Sequence, residues 1–159
     1  DPEEVRYNIF QALQYLADWL CGNGCVALPA TMTNTAGDTV FVRIMDDLAT
    51  TERSRWELWH ELHYGRVTRA VFEQILSEEI EFIRSNQTLP VKRVQVQWSG
   101  QAERWYPVAT RLLRQLVLDP NPPEFASELL LAFTFDLVRD SDDPWLTAQQ
   151  LSDGRLRTL

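Results

Sequence analysis

The chain has 159 residues, 45% of them hydrophobic and 11% aromatic, which is enough apolar surface for one domain with a substantial core. Fifteen Lys and Arg against 23 Asp and Glu leave a net charge of −8, which repels phosphate backbones and anionic headgroups and argues against nucleic acid or a membrane surface as partner. No apolar run approaches the roughly 18–20 residues needed to cross a bilayer, and the amino terminus lacks the charged-then-apolar pattern of a secretory signal.

These features predict a soluble, intracellular protein. Asp1 stands where an initiator Met is expected, which predicts a piece of a longer chain. Val5, Ile9, Leu13, Leu16 and Leu20 recur every three or four residues from Pro2 onward, with Glu3 and Glu4 favourably placed in the first turn, so a helix is predicted over Pro2–Leu20 with Gly22 as its stop. Cys21 and Cys25 flank a Gly-Asn-Gly turn; without secretory features they read as reduced packing residues rather than a disulfide or half of a metal site. Between Ala27 and Arg43, Ala-Gly-Asp turn chemistry followed by β-branched and aromatic residues predicts a small hairpin or ordered loop, an insertion near 30–44.

A second helix is predicted from about Thr50 to Tyr64, stopped by Gly65, and a third from Thr68 to about Asn86 on the stripe Phe72, Ile75, Leu76, Ile80 and Ile83. Glu78, Glu79 and Glu81 are assigned to its solvated face. Gln87 to Gly100 reads as a connector with a short extended segment at Val94, Val96 and Trp98. A fourth helix enters near Glu103–Pro107 and buries Trp105, Val108, Ala109, Leu112, Leu113 and Leu116. The Asp119–Pro123 run ends it. A fifth, nearly apolar helix from about Glu124 to Arg139 is expected to be central or docked on another surface. Beyond residue 139 comes a polar tail that only Trp145, Leu146 and Leu151 can anchor. The fold class is therefore all-α: a five-helix bundle over residues 1–139 with the tail at 140–159.

Chemistry concentrates in Ile44 to Arg55, "IMDDLATTERSR". Carboxylates just before a helix are common as caps, where unpaired N–H groups favour them. A carboxylate beside apolar Ile44 and Met45 is also suited to general-base work. His60 and His63, three apart, are a weak metal pair. Trp56 and Trp59 read as core or domain-interface aromatics, and Arg53 and Arg55 as surface partners of Glu52 and Glu57.

The segment "VRYNIFQALQYLADWLCGNGCV" followed by "MDDLATTERSR" resembles the carboxy-terminal domain of malate synthases, in which a helix runs into a Gly-Asn-Gly-Cys-Val turn and later Met-Glu-Asp-Ala-Ala-Thr-Ala-Glu-Ile-Ser-Arg. Seven of the eleven motif positions are identical. The likeness continues through "WELWHELHYGRVTRAVFEQILSEEI" and "YPVATRLLRQLV", over roughly residues 4–138. It implies a helical domain that caps a TIM barrel in an enzyme condensing acetyl-CoA with glyoxylate to malate and CoA. By motif position Asp47 is then the catalytic base. Met45 lines the acyl pocket, and Asp46, standing where the family has Glu, belongs to the substrate side of the site and supports its loop. The resemblance places Mg²⁺ on carboxylates of the barrel, which about 250 residues would be needed to build, and implies no metal bound by this chain alone. The alternative is a non-catalytic interaction or regulatory domain derived from the family, favoured by the changes at 46, 48 and 53 and by the insertion. The final Arg-Thr-Leu does not fit a peroxisomal signal, so neither cytoplasm nor peroxisome is assigned.

Overall fold

A computed structural model describes residues 1–20, 26–85 and 105–147. Among the described residues five main helices run in chain order: α1 (Pro2–Leu20), α2 (Leu48–His63), α3 (Arg69–Ser85), α4 (Trp105–Leu118) and α5 (Ala126–Arg139). One hairpin, β1 (Val26–Thr33) and β2 (Thr39–Asp46), interrupts them between α1 and α2. The architecture is thus helical with a single two-stranded insertion. Cys21, Gly22, Cys25, Leu151 and the extended segment expected between Gln87 and Gly100 lie outside the described residues.

α1 is the hub. Asp1 caps it, its side chain accepting from the N–H of Glu3 at 3.1 Å, and the helix then packs against α2, α3 and α4 and more lightly against α5 and β1. Because neighbours surround it, burial extends beyond the predicted stripe of Val5, Ile9, Leu13, Leu16 and Leu20 to Phe10, Ala12, Tyr15 and Ala17. Three polar side chains, Asn8, Gln11 and Gln14, are buried with them.

The hairpin is longer than the insertion expected near 30–44, because its antiparallel ladder continues from the Thr33–Thr39 pair to Val26–Asp46. Its turn is built by Asn34, whose side-chain oxygen accepts from the N–H groups of Ala36 and Asp38, both at 2.9 Å, while Gly37 adopts the left-handed φ of 90°. The strand hands directly to α2, which starts two residues earlier than its Thr-Thr-Glu sequence suggests, because Asp47 takes the cap. α2 ends at Gly65, with φ 70°: the Arg66 N–H reaches Glu61 O at 2.9 Å and the Gly65 N–H reaches Leu62 O at 3.2 Å, the paired bonds of a Schellman ending. Thr68 then caps α3 through its hydroxyl, which accepts from Val71 N–H at 3.3 Å.

Four sequence assignments change or narrow. Glu79 is fully buried, not solvated, and accepts from Arg6 Nη1 at 2.8 Å; it lies three, four and seven residues from Leu76, Ile75 and Phe72, on the same helical face. Glu78 and Glu81 are exposed as expected. Arg53 does pair with Glu57 on the surface, at 2.8 Å, but Arg55 is wholly buried. It donates to Glu52 at 2.8 Å and to the carbonyl oxygens of Pro123 and Glu124, and its guanidinium lies 3.8 Å from the centre of the Trp56 ring. Glu52 in turn accepts from the N–H of Ala126, so one ion pair on α2 holds the entry to α5. Of the two positions expected for α5, central or docked on another surface, the central one is excluded: only Ala126 and Leu130 are buried, while Leu131 and Phe135 are exposed. Nor do Trp145 and Leu146 anchor the tail, since both are exposed.

Arg55→Met keeps the volume of the buried stem but leaves Glu52 and two carbonyls without their donor. We expect it to cost about 3 kcal/mol in urea unfolding, as for other broken buried pairs. A change under about 1 kcal/mol would show that the pair does not hold α5 in place.

Candidate active site

The candidate residues meet where β2 becomes α2. Along a strand, successive side chains point to opposite faces, and the last two residues of β2 follow that rule: Met45 is 67% exposed and Asp46 only 2%. At Asp47 the chain is still extended, with φ −120° and ψ −170°, before the first helical residue, Leu48. Two adjacent carboxylates are thereby separated, one inside and one out.

Asp47 is exposed and caps α2, Oδ1 accepting from Thr50 N–H at 3.2 Å. Capping occupies one oxygen only. Oδ2 has no hydrogen-bond partner among the described residues. The capping and general-base readings of this residue are therefore compatible in one geometry.

Asp46 faces the domain interior. Its Oδ2 accepts from Gln11 Nε2 on α1 at 3.2 Å, and that amide nitrogen also donates to Tyr7 Oη at 3.0 Å. The carbonyl oxygen of Gln11 accepts from Ser54 Oγ on α2 at 3.0 Å. Burial pushes the Asp46 carboxyl above the usual carboxylate range; the Gln11 hydrogen bond opposes this and the neighbouring Asp47 charge adds to it. One turn earlier on α1, Asn8 donates to Glu57 at 2.8 Å. Burial raises the Glu57 carboxyl, but hydrogen bonds from Arg53 and Asn8 outweigh it and hold the group low.

Sequence reasoning singled out Met45, Asp46 and Asp47, which are consecutive at this junction; Met45 and Asp47 are exposed, whereas Asp46, expected on the substrate side of the site, is 2% exposed and turned into the domain interior. Sequence reasoning missed Gln11, Ser54 and Tyr7. The signal was present as a polar residue at Gln11 inside an otherwise apolar helix stretch, a position that demands a partner when buried.

His60 and His63 stand apart from this junction. Each sets Nδ1 2.8 Å from the carbonyl four residues back, so Nδ1 carries the proton, and His63 stacks on Trp59 at 4.0 Å between ring centres. Trp56 and Trp59 are half-buried, and the Trp59 indole donates to Asp119 O at 2.8 Å. Among the described residues no group of three or more His, Cys, Asp or Glu side chains is placed to hold a metal ion. The magnesium implied by the resemblance has no cradle on them. Nor is any helix among the described residues long and apolar enough to cross a membrane.

The sequence pattern of the family described as "Malate synthase, C-terminal" matches residues 1–132. The chain belongs to that family. Among similar proteins, malate synthase A of Escherichia coli is 36% identical over 90 residues, 52% of this chain and 14% of its own length. Malate synthase of Myxococcus xanthus is 35% identical over 85 residues, 49% of this chain and 13% of its own. A bifunctional glyoxylate cycle protein of Caenorhabditis elegans is 41% identical over 59 residues, 37% of this chain and 5% of its own. The matched stretch is thus a small part of much longer relatives. No solved structure matches the chain significantly.

The raised Asp46 carboxyl fixes the sign of a pH effect in this malate synthase C-terminal domain. A carboxyl that is more basic when folded than when unfolded costs nothing below the unfolded value, about 3.9. The cost grows as pH rises from there through the folded value and stays constant above it. Asp46→Asn keeps an acceptor for Gln11 and removes the charge. Relative to the parent, the variant is expected to gain more unfolding free energy at pH 7 than at pH 4. Urea midpoints at both pH values test this; a gain that shrinks as pH rises would reverse the assignment.

Proposed function

We propose that this chain supplies the catalytic-base aspartate of a malate synthase-type acyltransferase, with Asp47 as the base, Met45 beside the acyl group and Asp46 holding the loop from within. The observation that carries the reading is the state of Asp47: exposed, fixed through Oδ1 by its own helix, with Oδ2 left for another proton. An exposed Met45 next to it suits contact with an acyl chain.

In the proposed reaction an Asp47 oxygen takes a proton from the methyl group of acetyl-CoA. The resulting enolate carbon bonds to the aldehyde carbon of glyoxylate, whose oxygen gains a proton, and water cleaves the thioester to release malate and CoA. A carboxylate is a weak base for a thioester methyl, so the enolate needs a positively charged group close by. That group, the magnesium ligands and most of the substrate contacts belong, on this reading, to a TIM-barrel domain of the same enzyme. The isolated chain should accordingly form no malate.

Asp47→Asn is the sharpest test because Asn caps a helix as well as Asp does, so the fold is preserved while the proton acceptor is lost. In the full-length gene product it should lower kcat by about 10²- to 10⁴-fold with acetyl-CoA binding nearly unchanged. Normal turnover would remove Asp47 from the role. Turnover by residues 1–159 alone would show that the remaining machinery had been assigned to the wrong place.

A further inference from the structure

We propose that Gln11 is a positioning residue for Asp47, tying the end of β2 to the second turn of α2 and so fixing the carboxylate held between them. The inference rests on the proposed role of Asp47 and adds to it a residue 36 positions away in sequence, on a different helix.

The backbone at Asp47 is a junction between two kinds of structure, the end of β2 and the start of α2. Gln11 is 7% exposed, and its single amide reaches both sides: Nε2 donates to Asp46 at 3.2 Å, one residue before the junction, and Oε1 accepts from Ser54 at 3.0 Å, seven residues after it. The second N–H is taken by Tyr7 Oη at 3.0 Å, one turn back on α1, which fixes the rotation of the amide plane. All hydrogen-bonding positions on that nitrogen are therefore committed. Charged or titratable groups near the junction include Asp46 and Asp47 themselves, Tyr7 and Glu4 on α1, and the Arg53–Glu57 pair on α2. None replaces the Gln11 amide as a link between strand and helix. A general base acts only within hydrogen-bond reach of its proton, and a displacement of about 1 Å is worth up to about 100-fold in rate.

Gln11→Met has nearly the same shape and makes none of the three bonds. In the full-length gene product it should lower kcat about 10- to 100-fold, leave the KM for acetyl-CoA within about twofold, and raise the deuterium isotope effect on kcat with methyl-deuterated acetyl-CoA. A residue important only for stability would lower the folded fraction without altering the isotope effect. Should Gln11→Met fail to fold, Ser54→Ala, which cuts only the tie to α2, is read by the same three quantities and should move them the same way by less. Unchanged kcat per folded molecule, or a changed KM with an unchanged isotope effect, overturns the proposal. Asp47→Asn run alongside separates the two readings. If it is inactive while Gln11→Met and Ser54→Ala are normal, only the positioning role fails; if it is active, the base assignment fails and the positioning role with it.

Discussion

A buried polar group without a hydrogen bond is costly, and on α1 that constraint organises much of the domain, although Gln14 Nε2 is left without a partner among the described residues. Asn8, Gln11 and Gln14 rise along one side of a helix otherwise packed in hydrocarbon, and each reaches a different partner: Glu57 on α2, the Asp46–Ser54 pair across the β2–α2 junction, and Tyr106 on α4, which donates to Gln14 Oε1 at 2.8 Å. Apolar packing alone tolerates small slides between helices, because it is non-directional. Three directional bonds spaced along α1 do not. They set the register of α2 and α4 on α1, and with it the place where β2 gives way to α2.

The same constraint explains why two adjacent aspartates differ. Strand alternation turns Asp46 inward, where it becomes one more buried polar group for α1 to satisfy. The chain then leaves the strand at Asp47, whose carboxylate meets the unpaired N–H groups at the start of α2 instead of the core. The interior carboxylate is a structural tie, and the exterior one retains an oxygen that its cap does not use. Neither residue type nor spacing distinguishes them. The strand-to-helix transition does, and it depends on a hairpin paired through to residue 46.

Much of this was legible in the sequence because the apolar stripes are regular. α1, α3 and α4 each present apolar side chains every three or four residues, and their predicted faces are the buried ones. The junction was legible only as a motif. What escaped was polar and long-range: Glu79 sits on the apolar face of α3 because Arg6 on α1 meets it, and Arg55 is interior because Pro123 and Glu124 offer it carbonyls. A charge on a helix reads as solvated until its partner is known, and these partners lie about 70 residues away in sequence. For α5 the apolar sequence left a central and a docked position open, because such a sequence predicts burial without naming what does the burying; the exposed Leu131 and Phe135 exclude only the central one.

The commitment of the basic residues bears on how far such a site can act by itself. Proton transfer from a thioester methyl to a carboxylate leaves a negative enolate beside Asp47, in a chain whose net charge is already −8. The two arginines that follow in α2 are both engaged: Arg53 holds Glu57 at 2.8 Å, and Arg55 is sealed against Glu52 and two carbonyls. Freeing Arg53 would leave Glu57 to Asn8 alone, and freeing Arg55 would take its cation from Glu52, whose side chain is 15% exposed. Arg55 is therefore withdrawn from the proposed chemistry, whereas Arg53 stays exposed in a surface pair that solvent weakens. In the proposed reaction the compensating charge is accordingly assigned to a partner surface and not to the buried guanidinium of this chain.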